Sequence, residues 1–191
     1  MQENKFRKTV ILVDADYADG VAFDLTVNFE RMLMRRIPKA DLAHWLVCLS
    51  LDGGLQAGEN EVQVLMIYRK TTLSNFQPGD LLQDVDGKAF RDPNLGEFEM
   101  KALCDEQLTG EDMFCEVLRT LLSAEEVERV VLVPDMERSG VEMKHLLAGQ
   151  RKKDITLLAM QPETGRGFQS EILGYSLMQA LGIRSDELMK V

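Results

Sequence analysis

Apolar residues along this chain form short continuous runs that alternate with stretches of helical spacing. The first run, residues 8–14 (KTVILVD), is rich in β-branched side chains and predicts a strand buried on both faces of a parallel sheet. Residues 21–37 then carry apolar side chains at helical spacing, and Pro38 follows them, which predicts a helix. A strand followed by an amphipathic helix is typical of the opening of a βα unit.

The middle of the chain is less regular. Residues 45–51 (WLVCLSL) and 61–68 (EVQVLMIY) predict two further strands, and the short glycine-rich link between them favours antiparallel neighbours. Residues 71–109 contain many glycines, prolines and aspartates and predict an irregular excursion that folds over the core or reaches a second subunit. Within it, the alternation over residues 98–102 predicts a short edge strand.

The alternation of strands and helices resumes in the last part of the chain. It predicts a helix over 111–122, a strand over 129–133, a helix that opens with a capping box at 139–142 and runs to 148, a strand over 155–160 and a helix over 168–181. This order predicts a single α/β domain over residues 1–191. We expect a three-layer sandwich with a mainly parallel, Rossmann-like central sheet of about five strands.

Composition and charge exclude several classes of function. Of the 191 residues, 45% are hydrophobic, yet no apolar run approaches the roughly 20 residues that cross a bilayer. The N-terminal residues are charged and lack the apolar stretch of a signal peptide, so we expect a cytoplasmic protein. The net charge of −10 disfavours adhesion to anionic membranes and binding of nucleic acid by bulk charge. Three cysteines without CxxC spacing and two histidines give little support to a zinc site or a Ser-His-Asp triad.

Acidic residues stand where two of the parallel strands are predicted to end. Asp14 and Asp16 follow the first strand, and Asp135 follows the strand over 129–133. Ligands collect at the carboxyl ends of parallel strands, so the three side chains converge if these strands are neighbours. Carboxylates suit Mg²⁺ or Mn²⁺, which activates water and stabilises phosphoryl transfer. Helix capping explains the same residues equally well, with Asp16 or Asp19 as the cap. Outer candidates for the site are Asp19, Asp24 and Asp52.

A second candidate site is the loop over residues 162–167, between the last predicted strand and the last predicted helix. Gly165 and Gly167 allow close approach of the backbone to a ligand, and Arg166 is placed to hold a phosphate or carboxylate. A plain flexible loop explains these glycines as well. Neither GxGxxG nor GxxxxGK[ST] occurs in the chain, so no nucleotide-binding motif is predicted.

Two short motifs resemble known families. Residues 8–33 (KTVILVDADYADGVAFDLTVNFERML) resemble the opening of NYN and PIN-like nuclease domains, which implies Asp14 as a metal-binding acid and Asp135, after RVVLVPD, as another. Those domains have an aspartate-rich motif where this chain has VPDMERSG. The hhhhDxD pattern is also similar to the first motif of haloacid-dehalogenase-like phosphatases. The chain as a whole, including EILGYSLMQALGI, resembles a small bacterial family of uncharacterised proteins.

These observations lead to three hypotheses of function. The first is a Mg²⁺- or Mn²⁺-dependent phosphodiesterase or nuclease-like hydrolase that acts through Asp14, Asp16 and Asp135 on single-stranded nucleic acid or a small phosphorylated ligand, with Arg166 on the substrate phosphate. The alternative is a non-catalytic module that oligomerises or binds a small anion. The third is a phosphatase with Asp14 as its nucleophile. We expect a homodimer because two-fold dimers are the commonest soluble oligomers.

Overall fold

The computed structural model of this protein describes residues 5–191 and has a sheet of seven strands at its centre. The strands are β1 (Thr9–Asp14), β2 (Ala40–Asp41), β3 (Asn60–Ile67), β4 (Phe76–Gln77), β5 (Ala89–Asp92), β6 (Gly96–Leu103), β7 (Arg129–Val133), β8 (Asp154–Ala159) and β9 (Gln169–Ile172). The helices are α1 (Ala15–Leu33), α2 (Leu42–Asp52), α3 (Gly110–Ser123), α4 (Met136–Ala148), α5 (Leu173–Ala180) and α6 (Ser185–Leu188), with one π-helical turn at Leu81–Val85. Strands β2 and β4 pair separately.

The central sheet has the order β5-β6-β3-β1-β7-β8-β9, and every pair of neighbours is parallel except β5 and β6. Successive side chains of a strand point to opposite faces. Ile11 and Val13 of β1 therefore pack in one core with α1, α2 and α5, whereas Val10 and Leu12 pack in the other with α3 and α4. The predicted α/β sandwich with a mainly parallel sheet is confirmed, although the sheet has seven strands and not about five.

The predicted strand over residues 45–51 is wrong, because these residues lie inside helix α2. Asp41 caps the helix by accepting a hydrogen bond from the His44 N–H. Three of its buried side chains, Trp45, Leu46 and Leu49, follow helical spacing. The predicted antiparallel pairing is wrong for the same reason: β3 has a helix before it and runs parallel to both β1 and β6.

The excursion over residues 71–109 folds over the core, as one of its two predicted alternatives states. Leu73, Phe76, Leu81 and Val85 are buried in the cluster shared with α1 and α2. Its alternating segment does form a strand, β6, but the predicted edge position is wrong. Strand β6 lies between β3 and β5, so β5 is the edge of the sheet.

Three predicted helix starts also need correction. Helix α1 begins at residue 15 and not at 21, with Asp14 as its cap; α4 begins at residue 136, with Asp135 as its cap, and Ser139 lies buried inside it. The predicted helix over 168–181 is in part the edge strand β9, and α5 starts only at Leu173. Among residues 5–191, no helix has the length and apolar character that crossing a bilayer requires.

Candidate functional site

The candidate site is a cleft of about 490 Å³ at the carboxyl ends of β1, β3 and β7. Strand β1 lies between β3 and β7. From β1 the chain continues to β3 and β6 on one side of the sheet, and it later continues from β7 to β8 and β9 on the other side. Helix α1 follows β1 on one face of the sheet, whereas α4 follows β7 on the opposite face. The two helices therefore diverge from neighbouring strand ends and leave a crevice, which is where open α/β sheets bind ligands. Its lining residues are Asp14, Asp16, Tyr17, Ile67, Tyr68, Arg69, Thr109, Gly110, Glu111, Asp135 and Arg138.

Asp14 is the most perturbed acid of the cleft. One carboxylate oxygen accepts the Tyr17 N–H at 3.1 Å as the cap of α1, and no protein donor within residues 5–191 bonds the other oxygen. The pKa of Asp14 is raised to about 6, chiefly by burial; the charges of Asp135 and Asp16 contribute to this shift, and the hydrogen bond from Tyr17 opposes it. Asp14 is thus a partly desolvated acid beside two others.

Asp135 occupies the equivalent position on β7. Its Oδ1 accepts the Glu137 N–H at 3.1 Å, and its Oδ2 lies 3.6 Å from Nε of Arg138. Burial also raises the pKa of Tyr17 in the cleft, and the charge of Asp135 adds to that effect. The expected adjacency of the two strands is present, and Asp14 and Asp135 line one cleft. Asp14 and Asp135 cap α1 and α4, so the expectation that Asp16 or Asp19 caps the first helix is wrong, and metal binding by these acids stays a prediction.

Asp16 lines the same cleft but bonds a different part of the chain. Its two oxygens accept the backbone N–H groups of Arg69 (3.0 Å) and Lys70 (3.2 Å), directly after β3. It thereby fixes the start of the excursion against the first turn of α1. Arg69 reaches the start of α3, where its Nε is 3.9 Å from the position of a β-carbon on Gly110. Within residues 5–191 its guanidinium forms no ion pair.

The donor set can be compared with the needs of a divalent cation. In the described part of the chain, no group of three or more His, Cys, Asp or Glu side chains is arranged to hold a metal ion. Asp14 and Asp135 each use one oxygen as a helix cap; the other oxygen of Asp14 has no protein donor within residues 5–191, whereas that of Asp135 lies 3.6 Å from Nε of Arg138. Mg²⁺ is commonly bound by one or two carboxylates together with water and substrate phosphates, whereas structural zinc needs a closed protein cage. A closed cage for zinc is therefore not present among the described residues, and ligation of Mg²⁺ or Mn²⁺ by Asp14, Asp16 and Asp135 stays a prediction.

The loop with Gly165, Arg166 and Gly167 does not line this cleft. The expectation that it opens a helix is wrong, because β9 comes between the loop and α5. A β-carbon on Gly165 would meet the Phe168 ring, and one on Gly167 would overlap the backbone of Leu147. Close packing explains both glycines, and ligand binding by the exposed Arg166 stays a prediction.

The outer acids lie away from the cleft lining. Asp19 accepts the backbone N–H of Asn75 at 2.8 Å and so ties the excursion to α1. Asp24 is exposed on α1. Asp52 ends α2, where burial raises its pKa to about 6 and the charge of Glu171 adds to the shift. Asp19 therefore has a structural role, and Asp52 lies in a separate, partly buried environment at the end of α2.

Sequence reasoning missed the basic residues of the cleft, Arg69 and Arg138. Arg138 lies in the first turn of α4, and its Nη1 is 3.9 Å from Glu111. Arg69 follows the carboxyl end of β3, which is the signal that could have identified it. That signal depends on β3 being the parallel neighbour of β1, and the false strand at 45–51 concealed this.

A larger groove of about 1070 Å³ begins at the opposite, amino ends of β1, β3 and β6. Its charged side chains form ion pairs across the strands. Arg7 contacts Glu61 at 2.6 Å and Glu99 at 3.5 Å, and Arg91 pairs with Glu59. The acids named here thus have basic partners, unlike Asp14 in the cleft.

Fold and cleft together define an α/β sandwich protein with an acidic cleft at the point where the sheet reverses its strand order. A family model matches residues 3–188, and the chain belongs to that family, DUF6621, a family of unknown function. No curated protein and no solved structure gives a significant match to the chain.

Proposed function

We propose that the cleft between β1 and β7 binds a divalent cation and a phosphodiester, and that the protein is a metal-dependent phosphodiesterase of nuclease-like chemistry. The observation that carries the proposal is the meeting of Asp14 and Asp135 in one cleft with Arg69 and Arg138. Acids for a cation and guanidinium groups for phosphate oxygens are the two components that phosphoryl transfer needs from a protein.

Asp14 would hold the cation through the oxygen that does not cap α1, and Asp135 would do so through Oδ2, in place of its contact with Arg138. When bound, Mg²⁺ or Mn²⁺ neutralises phosphoryl charge and lowers the pKa of the attacking water. Binding also relieves the repulsion that contributes to the raised pKa of Asp14. The acids are fixed for this task because each is held at a strand end by its own capping bond.

Arg69 would bind the non-bridging oxygens of the phosphate. Its guanidinium has no carboxylate partner within residues 5–191, so it does not have to give up an ion pair first. Asp16 is a positioning residue for Arg69, since it holds the backbone of Arg69 and Lys70 beside α1. The predicted ligand role of Asp16 would have to use its remaining lone pairs.

Metal binding is tested by thermal unfolding with added Mg²⁺ or Mn²⁺. Saturation at about 100 times Kd stabilises a protein by about 2.7 kcal/mol, and we expect this response in the parent and its loss in Asp14→Asn and Asp135→Asn. Asparagine retains the capping oxygen, so both variants should fold. The matched control is Glu99→Gln in the groove, which should respond like the parent. No response in the parent protein contradicts the proposal.

Catalysis is tested with single-stranded RNA and with bis(4-nitrophenyl) phosphate. We expect Asp135→Asn to lower the rate at least about a hundredfold, since it removes a ligand of the cation that would stabilise charge on the reacting phosphate. Arg69→Met should weaken substrate binding and leave the metal response intact. A metal response without hydrolysis of either substrate would identify a binding module. A trapped phosphoryl group on Asp14 would identify the aspartate-nucleophile phosphatase.

A further inference from the structure

Helix α1 has an apolar stripe on the side that faces away from the core. Its buried residues, Ala15, Ala18, Val21 and Ala22, all lie in the first half of the helix. Phe23 and Val27 are 54% and 38% exposed and lie four residues apart on one face of the helix, and Met34, which ends the helix, is 87% exposed. That face is opposite to the one that contains Ala18, Ala22 and Leu25.

The residue at the end of this stripe, Met34, has a left-handed backbone conformation that is unfavourable for a non-glycine residue. Met34 is the cap that ends α1, with φ of 53°, and it is the one non-glycine residue with positive φ among residues 5–191. Glycine is the usual residue at a left-handed helix end because a β-carbon is disfavoured there. The Met34 side chain is exposed, so packing within its own chain does little to offset this cost.

The charges beside the stripe are arranged symmetrically. Asp24 and Arg31 lie on the same flank of α1, two turns apart, and neither has an ion-pair partner within residues 5–191. Each stands about 5 Å along the helix axis from the midpoint between Val27 and Asn28. A two-fold axis through that midpoint brings Asp24 of one copy opposite Arg31 of the other, and the reverse.

We propose that α1 is the interface of a homodimer in which two copies of this helix pack antiparallel about an axis between Val27 and Asn28. The antiparallel direction follows from the charges, because an antiparallel two-fold pair brings the charged flanks of both copies to the same side, whereas a parallel two-fold pair puts them on opposite sides, where Asp24 and Arg31 do not meet. Gly20 lies near one end of the stripe, and a β-carbon there would have no atom within 4 Å, so the partner helix has room to approach. A membrane is a poor occupant for this face, because the net charge of −10 opposes anionic lipid.

The dimer is tested by sedimentation velocity over about a hundredfold range of protein concentration, where mass action converts monomer to dimer. Asp24→Arg and Arg31→Asp each turn two attractive pairs into two repulsive ones and should raise the dimer Kd about tenfold. The double variant restores opposite charges and should return the Kd to within about threefold of the parent. Both substituted positions are on the surface, so thermal unfolding should show that all three variants are folded.

Met34→Gly is an independent test, because it should stabilise the monomer and weaken the dimer. It relieves the left-handed strain and should raise the melting temperature of the monomer, while removal of an interface side chain should raise the dimer Kd about fivefold. A parent protein that stays monomeric overturns the proposal. Single charge reversals that leave the Kd unchanged also overturn it, as does a double variant that fails to dimerise. None of these outcomes depends on metal binding or hydrolysis in the cleft.

Discussion

The cleft at the carboxyl ends of β1 and β7 and the groove at the amino ends of β1, β3 and β6 are both lined by charged residues. The groove is about twice as large, at about 1070 Å³ against about 490 Å³. In the groove, acids and bases stand on neighbouring strands and pair in solvent, as Arg7 does with Glu61 and Glu99. In the cleft, Asp14 and Asp135 meet because each caps a helix at the end of one of two adjacent strands.

The difference teaches that the arrangement of charge, and not the volume of a cavity, marks the candidate site. Paired surface charges cancel each other and contribute little to stability or binding. Like charges held together in a partly buried cleft store unfavourable energy, which a cation or a proton releases. We therefore expect stability to depend on side-chain size at the groove end of the sheet and on side-chain charge at the cleft end.

The largest effect is expected at the groove end, from Gly96→Ala. Gly96 pairs with Asn60 at the start of β6 with φ of 104°, and a β-carbon would come within 2.6 Å of the Asn60 backbone nitrogen. The substitution should lower the free energy of unfolding by about 3 kcal/mol or more, because strand backbone has to move. Urea unfolding measures it. Gly87→Ala is the control: φ is also positive there, but the space is open, so a loss of about 1 kcal/mol is expected. Equal losses would contradict the role of the close contact.

Asp14→Asn should stabilise the metal-free protein, and only above the pH at which the acid ionises. The pKa of Asp14 is raised from 3.8 to about 6 on folding, chiefly by burial. Its favourable contribution is therefore present below about pH 4 and is lost as the pH rises through 6. With partial solvent screening, the variant should be more stable by about 1–2 kcal/mol near pH 8 and equal to the parent near pH 4.

The measurement is urea unfolding in the presence of a chelator across this pH range. Asparagine retains the capping oxygen that bonds Tyr17, so loss of the cap does not obscure the result. Glu99→Gln, in the groove, should stay within about 0.5 kcal/mol of the parent at both ends of the range. A pH-independent difference for Asp14→Asn would mean that its charge is not destabilising.

Sequence patterns predicted the regions of the molecule where local and tertiary preferences agree. The apolar runs at residues 8–14 and 129–133 are strands because both faces of a central parallel strand are buried. Their terminal acids could be placed at one edge for the same reason, since parallel strands end on the same side. That argument assumed that β1 and β7 are neighbours, and only the structure established this.

The errors arose where burial removes the periodic signal or where the strand order is required. Helix α2 is apolar on most sides, so WLVCLSL gave no polar face from which a helix could be recognised. Strand β9 (QSEI) is a polar edge strand with no run of apolar residues. Arg69 could not be assigned to the cleft without the position of β3, because no residue near it in sequence belongs to the acidic pair.

The smallest effect is expected from Arg7→Gln in the groove. Arg7 bridges Glu61 and Glu99, but all three side chains are substantially exposed, so their attraction is screened by solvent. The free energy of unfolding should fall by no more than about 0.5 kcal/mol, and this difference should vanish in high salt. The backbone N–H of Arg7 still donates to Gln63 in the variant, so the start of β1 remains in place. A loss as large as that of Gly96→Ala would show that the groove charges are structural after all, and the contrast between the two ends of the sheet would then fail.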